Sequence, residues 1–349
     1  MSKKHTKRML RIALLLAAIV SLFFVPWTLL RALLTPLPAT VQEQVDKAID
    51  YGADGIIVYV DRGGEPPRTY TAGWKDRDKK IPAAADDLFK IASISKLYIA
   101  AAAAKLVANH TLSLDKTVAD YLPDLKGKIA NADQITLRML LQHRSGIPNF
   151  VDVPGFPWGS PPQTFDETLA FVKGKPADFE PNSKYRYSNT NYLLIGKIMD
   201  NALGYSHHKY IKDEILKPLG LNHTFGLLSE VNPDDVMSGY TVGYEPDIKM
   251  NDFVTPGGSM VATISDVGIF LRALNTGTLL NEEEQSIYSS VYQYEHTGLL
   301  PGYESIARYY KDMDTVVVLF MNTSGGKMWN VAEIVYKKIV RILRKQADN

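Results

Sequence analysis

Apolar and polar positions fall into three regimes along this chain. The first is an uncharged stretch from Ile12 to Leu30, preceded by Lys3, Lys4, Lys7, Arg8 and Arg11 and followed by the single basic Arg31. A helix of about 20 apolar residues spans a bilayer core. The basic residues ahead of the stretch keep the N-terminus cytoplasmic and send the rest across. The pattern therefore predicts a single-pass cell-membrane anchor through residues 12–30, with the remaining domain extracytoplasmic. A cleaved export signal is the alternative, but Leu37-Pro38-Ala39 is a poor match to a small-x-small cleavage site. Thr35-Pro36-Leu37-Pro38 reads as a short stiff spacer. Residues 1–36 are assigned to anchor and linker, and 37–349 to one domain.

The second regime carries strand and helix periods at both ends of that domain. Val41 to Tyr51 has the spacing of an amphipathic helix. Gly55 to Val60 is β-rich, Gly63-Gly64 and Pro66-Pro67 mark a turn, and Thr69 to Trp74 reads as the returning strand. Near the other end, Ser265 to Asn275 reads as a helix capped by Thr263 or Ser265. Ser305 to Tyr310 and Thr315 to Asn322 flank Lys311-Asp312-Met313-Asp314 as a hairpin, and Lys327 to Lys345 is a last amphipathic helix. Between Leu97 and Val107 only Lys105 is charged, and alanine fills Ala100 to Ala104. Alanine is the best helix former, and a helix apolar on nearly every face is a buried one.

The third regime, Thr111 to about Asp252, alternates short helical patterns with proline-rich loops. The patterns are Ser113 to Leu122, Leu137 to Gln142, Phe165 to Lys173, Asn191 to Leu203 and Tyr210 to Leu216. The loop from Pro148 to Pro162 is long and rich in Pro, Gly and aromatic residues, and loops of that length are often functional. Together the regimes predict an α+β domain: an antiparallel sheet flanked by helices (about 40–110 and 256–349), with a mostly helical half (about 111–255) inserted.

Composition narrows the chemistry. The net charge of +1 gives no overall attraction to nucleic acid. The absence of cysteine excludes disulfides, thiolate catalysis and Cys-ligated metal sites. His207 and His208 are adjacent and cannot share one helical face, so no metal is expected. No His-Glu-x-x-His, Gly-x-Ser-x-Gly or phosphate-loop pattern is present, and no cofactor is expected.

Ser-x-x-Lys occurs at Ser93/Lys96, Ser113/Lys116, Ser206/Lys209 and Ser324/Lys327, but only the first opens onto the buried helix. There the serine sits at the first turn and the lysine one turn on, along the same face. A serine needs a neighbouring base, and a lysine near apolar surroundings loses part of its preference for charge. Tyr187 and Asn189 follow the turn at Pro181-Asn182. The phenol can relay a proton if a cation such as Lys96 lowers its pKa, and the amide can bond a substrate carbonyl while holding Lys96. His296-Thr297-Gly298 has the form of a strand that lets a ligand approach the backbone, with His296 a hydrogen-bond donor or switchable cation for a carboxylate or ester oxygen. His143, at a helix end, is read as a partner of free helix carbonyls.

Taken in order, Ser93-Ile-Ser-Lys96, Tyr187-Ser-Asn189 and His296-Thr-Gly298 resemble the three motifs of serine β-lactamases and penicillin-binding proteins. The tyrosine in the second motif is similar to the class C type and its relatives, which include D-alanyl-D-alanine carboxypeptidases, esterases and D-aminopeptidases. Leu140 to Gly146, Tyr187 to Gly196, Pro218-Leu-Gly220 and Gly257 to Asp266 extend the resemblance, which runs from about residue 40 to the C-terminus. It implies a β-lactamase/transpeptidase-like fold and an acyl-enzyme on Ser93. Lys96 and Tyr187 would share proton transfer, Asn189, His296, Thr297 and Gly298 would contact substrate, and the backbone N–H groups of Ser93 and Leu299 would form an oxyanion hole. His296 stands where class C β-lactamases usually carry lysine. The expected substrate is a small molecule or a peptidoglycan-type peptide: a peptide ending in a D-amino acid, or a related amide or ester, cleaved by a D-alanyl-D-alanine carboxypeptidase-like enzyme. A class C-type β-lactamase, an esterase and a non-catalytic penicillin-binding sensor are the alternatives.

Overall fold

The computed structural model describes residues 7, 11, 12, 14, 16, 17, 20, 21 and 25–347. The strands, in chain order, are β1 (Gly55–Arg62), β2 (Arg68–Asp76), β3 (Ile81–Pro82), β4 (Phe89–Lys90), β5 (Thr224–Phe225), β6 (Tyr240–Thr241), β7 (Val261–Ala262), β8 (His296–Leu300), β9 (Tyr303–Tyr310), β10 (Thr315–Met321) and β11 (Thr323–Ser324). Six of them form one antiparallel sheet in the order β3-β2-β1-β10-β9-β8. The N-terminal hairpin and the C-terminal strands meet where Ile56 pairs with Met321 and Arg62 with Thr315. The middle strands are covered on both faces, so their sequences are almost unbroken runs of β-branched and large apolar residues. In β10, Val316, Val318 and Phe320 face one core, while Val317, Leu319 and Met321 face the other.

The second core is closed by the helices Val41–Asp50 and Met328–Ala347. A short helix, Trp27–Leu34, packs beside them. Its C-terminal end is held by Lys338, whose Nζ donates to the carbonyls of Ala32 and Thr35, each at 2.7 Å. The first core holds the central helix, Ser95–Ala108, with Ala100 to Ala104 wholly buried. Small side chains on every face let neighbours approach from all round. The ring of Tyr98 stacks on Phe270 at 3.6 Å, and Lys105 pairs with Glu284 at 3.3 Å near the far end.

Several expected elements differ in extent. The segment from Ser113 to Leu122 is helical only over Val118–Tyr121, where a Thr117/Asp120 capping box starts the turn and Pro123 follows. The pattern from Phe165 closes at Ala170. The Tyr210 pattern begins earlier, at His207, and widens into a π turn over Lys212–Leu216. The helix expected from Asn191 starts at Asn189. One helix, Glu282–Val291, went unpredicted although Asn281 and Glu284 form a reciprocal capping box. Of the expected membrane span 12–30, residues 13, 15, 18, 19 and 22–24 lie outside the described residues. Among the described residues no helix is long and apolar enough to cross a membrane.

The alanine run makes the interior intolerant of added volume. Ala102→Leu is expected to cost about 1–3 kcal/mol through overpacking, measured by urea denaturation of a fragment starting near residue 27. An unchanged midpoint would mean that the neighbours are not in close contact there.

Candidate active site

Ser93 lies in a short 3-10 turn, Ala92–Ile94, between β4 and the central helix. Ala92 adopts φ 51°, a left-handed conformation unusual for a residue with a side chain. Such strain collects at functional sites. The edge strand β8 presses on this turn at Gly298. A Cβ there would sit 2.4 Å from the Ile91 carbonyl oxygen and 2.3 Å from Ser305 Oγ, so only glycine allows the approach.

One turn along, Lys96 is wholly buried. Its Nζ lies 3.1 Å from Ser93 Oγ, 2.9 Å from Asn189 Oδ1 and 2.6 Å from the carbonyl oxygen of Gly257. A Cβ at Gly257 would come within 2.8 Å of that nitrogen. All these partners are uncharged. With burial unopposed by any anion, the Lys96 pKa falls to about 7.

The Tyr187 hydroxyl donates to Ser93 Oγ at 2.8 Å. The expectation that a lysine cation lowers this phenol's pKa is reversed. Burial is the largest influence and holds the tyrosine above its ordinary range, with the Ser93 hydrogen bond opposing it and Tyr185 adding to it. Asn189 opens its helix rather than lying in the preceding loop. Its amide orientation is fixed by Asn149, whose Oδ1 accepts from both the Asn189 backbone N–H (2.9 Å) and Nδ2 (3.2 Å). The amide oxygen is thereby left for Lys96.

His296 departs most from expectation. It is 7% exposed, and its Nδ1 donates to the Thr297 carbonyl. Burial, aided by Lys96, lowers its pKa to about 4. It is a neutral ring in the wall, aligned with Tyr292 at 6.0 Å, rather than a switchable cation. Thr297 is half-buried, and Leu299 is exposed at the cleft. His143 also differs in its contacts. Instead of serving helix carbonyls, its ring stacks on Tyr187 at 4.5 Å and its Nδ1 accepts from the Ser188 N–H at 3.2 Å. Burial is again the main cause that brings its pKa down to about 3.

Beside Ser93 opens a cleft of about 500 Å³, counting its mouth. Phe150, Phe156, Trp158 and Phe253 form one side of it, each within 6.0 Å of the next between ring centroids. No charged side chain lines it. Three of these aromatics come from the long loop that the sequence marks as functional. Phe253 and Asn149 were missed, the first for lack of any local pattern. Asn149 follows Gly146-Ile147-Pro148 directly, but nothing in that run points toward a residue forty positions away. Among the described residues, no group of three His, Asp or Glu side chains is arranged to hold a metal ion.

This geometry can be set beside known proteins. The family model described as Beta-lactamase matches residues 30–293. The chain belongs to the beta-lactamase family. A curated relative, Protein flp of Staphylococcus aureus (strain N315), is 27% identical over 275 residues, covering 76% of this chain and 54% of its own. The chain thus spans about half the length of the curated relatives it matches first. Two solved structures share the family's fold. The D-amino acid amidase from Ochrobactrum anthropi SV3 complexed with L-phenylalanine amide superposes with a TM-score of 0.77 at 24% identity, covering 88% of this chain and 98% of that one. A class C beta lactamase gives 0.70 at 18% identity, covering 86% and 98%.

In this family member, labelling of Ser93 by a neutral fluorophosphonate should depend on the protonation of Lys96. Below pH 7 the amine is charged and cannot take the serine proton; above pH 7 it is neutral and can. The labelling rate is expected to rise through about pH 7 to a plateau. A rate flat through neutral pH would exclude Lys96 as the group that governs it.

Proposed function

We propose that the protein is a serine hydrolase that cleaves carboxylate-free amides and esters bearing a bulky apolar or aromatic group, through an acyl-enzyme on Ser93. The observation that carries this reading is the contact of one serine oxygen with both Lys96 Nζ at 3.1 Å and the Tyr187 hydroxyl at 2.8 Å. Neutral Lys96 takes the Ser93 proton as Oγ attacks the carbonyl carbon. Tyr187, protonated and already donating to Oγ, hands its proton to the departing amine or alkoxide and is resupplied by Lys96. Water then repeats the sequence in reverse roles and releases the acid. The backbone N–H groups of Ser93 and Leu299 are assigned to the developing oxyanion, where each such donor is worth on the order of 10²–10³ in rate. Asn189 keeps one amide hydrogen for a substrate carbonyl.

The substrate class follows from the cleft. Its aromatic side and lack of charged lining favour an apolar substituent, and neutral His296 supplies no fixed cation for a terminal carboxylate. This moves the reading away from a D-alanyl-D-alanine carboxypeptidase and from an efficient β-lactamase, and toward an amidase or esterase. The amidase that shares this fold was crystallised with an aromatic amino acid amide, which supports the same direction. A turnover panel on the protein and its Ser93→Ala variant tests this. Phenylalaninamide of either hand and aromatic p-nitrophenyl esters should turn over faster than nitrocefin or a D-Ala-D-Ala peptide. Equal values of kcat/KM for the peptide and the amides would defeat the substrate assignment, and no turnover above the Ser93→Ala control would defeat the hydrolase reading.

The same proposal keeps the domain outside the cytoplasm, tethered through residues 12–30. The basic cluster ahead of that stretch supports it. The docking of Trp27–Leu34 on the C-terminal helix takes residues 27–30 out of the span and would hold the domain close to the membrane surface. Deleting residues 1–26 should move the protein from the membrane fraction to the soluble fraction. Membrane recovery that survives the deletion would exclude this anchor.

A further inference from the structure

A second buried lysine stands beside the site and takes no part in the chemistry above. Lys90 lies on β4, three residues before Ser93, and is 4% exposed. No carboxylate side chain bonds it. Its Nζ donates to the backbone carbonyls of Lys249 and, at 2.8 Å, Asn251, and it sits 5.2 Å from the centroid of the Tyr303 ring. The Tyr303 hydroxyl is itself fixed on the Met237 carbonyl at 2.8 Å. Asp247 and Asp252 act on Lys90 through space, but Asp247 Oδ1 is occupied by the N–H groups of Gly239 and Lys249.

The two carbonyls belong to an irregular segment that leads directly to Phe253 in the cleft. The same segment reaches the opposite loop. Asn251 Nδ2 donates to the Trp158 carbonyl at 3.4 Å, and Gln163 Nε2 donates to the carbonyls of Asp252 (2.9 Å) and Pro161 (2.8 Å). Trp158, Phe253, Pro161 and Pro162 all line the cleft. One ammonium therefore connects the strand that leads into the nucleophile, directly and through Asn251, to the two segments that build the aromatic side of the cleft. Charge-assisted hydrogen bonds are roughly twice as strong as neutral ones, and those in a low dielectric gain further. An ammonium buried without an anion is costly, and a methionine would fill the space with no such cost. Its two carbonyl bonds are what offset that cost.

We propose that Lys90 is a positioning residue that fixes the aromatic side of the cleft relative to Ser93 and so sets the preference for bulky over small acyl groups. This rests on the aromatic-cleft reading of the substrate. A lysine with a merely structural role would, when replaced, lower stability and depress all substrates alike. A tether of the walls predicts a selective loss.

The test compares the wild-type chain with Lys90→Met and the milder Lys90→Gln, using a phenylacetyl and an acetyl p-nitrophenyl ester. Backbone hydrogen exchange is followed over residues 247–255 and over the central helix. In Lys90→Met the phenylacetyl-to-acetyl ratio of kcat/KM should fall about tenfold, mainly through KM, and Lys90→Gln should fall between. Exchange over 249–253 should accelerate while the central helix keeps its protection. An unchanged ratio, a parallel fall for both esters, or unchanged exchange in 249–253 would overturn the proposal. If Lys90→Met does not fold, Lys90→Gln decides by the same two readings. If the wild type shows no preference for the larger ester, the substrate reading fails. The exchange measurement then still decides whether Lys90 holds the walls.

Discussion

The desolvation of Lys96 is the constraint on which the rest of the site depends. Moving its pKa from the ordinary 10.5 to about 7 corresponds to roughly 5 kcal/mol of lost preference for the charged form. The unfolded chain binds that proton at neutral pH and the folded chain holds it weakly. Stability therefore rises with pH between the folded and unfolded values, and the full cost is felt below about pH 7. Nothing around the nitrogen cancels it, because a carboxylate partner would restore the charge and remove the base. Its partners are two neutral oxygens and the serine itself. The fold bears this cost with a large apolar interior, and the alanine run serves that end. Five small residues in succession let the surrounding elements close in behind the lysine.

The neighbours of Lys96 are held by groups that are themselves neutral. Asn149 orients the Asn189 amide, His143 backs the Tyr187 ring, and Gly298 lets the edge strand reach the Ser93 turn. Both imidazoles near Lys96 are driven neutral by burial, and its residual positive field pushes them the same way. Each charge removed makes the next harder to keep, because fewer counter-charges and less water remain. The outcome is a wall with hydrogen-bonding capacity and no fixed ion, where small shifts in Lys96 protonation dominate the electrostatics.

The parts of this arrangement that were legible in the sequence are those with a local period or a local cap. The two-faced apolar runs of β1 and β10, the Ala100 to Ala104 helix and the Thr263-capped helix all announce themselves within a dozen residues. Ser93, Lys96, Tyr187 and Asn189 were legible because their motifs keep fixed spacing, and the structure brings all four into contact. What could not be read was protonation. A sequence shows that His296 precedes a Thr-Gly pair, but not that the ring will be enclosed and neutral. It lets Lys96 be proposed as a cation beside Tyr187, but does not show that burial will bring that lysine's pKa down to about 7. Long-range partners were equally silent: Asn149 acquires its role only on meeting Asn189, forty positions on, and Phe253 only when its segment faces Trp158, about a hundred residues back.

The uncharged wall also bears on how the proposed reading differs from penicillin recognition. A carboxylate brought into a dry cleft loses several kcal/mol of hydration unless a cation or several N–H donors replace it. Where a fixed ammonium waits, that loss is offset and the carboxylate becomes a handle. Here the equivalent position holds a neutral imidazole whose Nδ1–H is already spent on the Thr297 carbonyl and whose Nε2 is left as a buried acceptor. Enclosed in this way, the ring offers a substrate carboxylate neither a charge nor a free N–H. On the proposed reading a carboxylate is left unpaired by the protonation state that burial imposes on His296, and no steric gate is required.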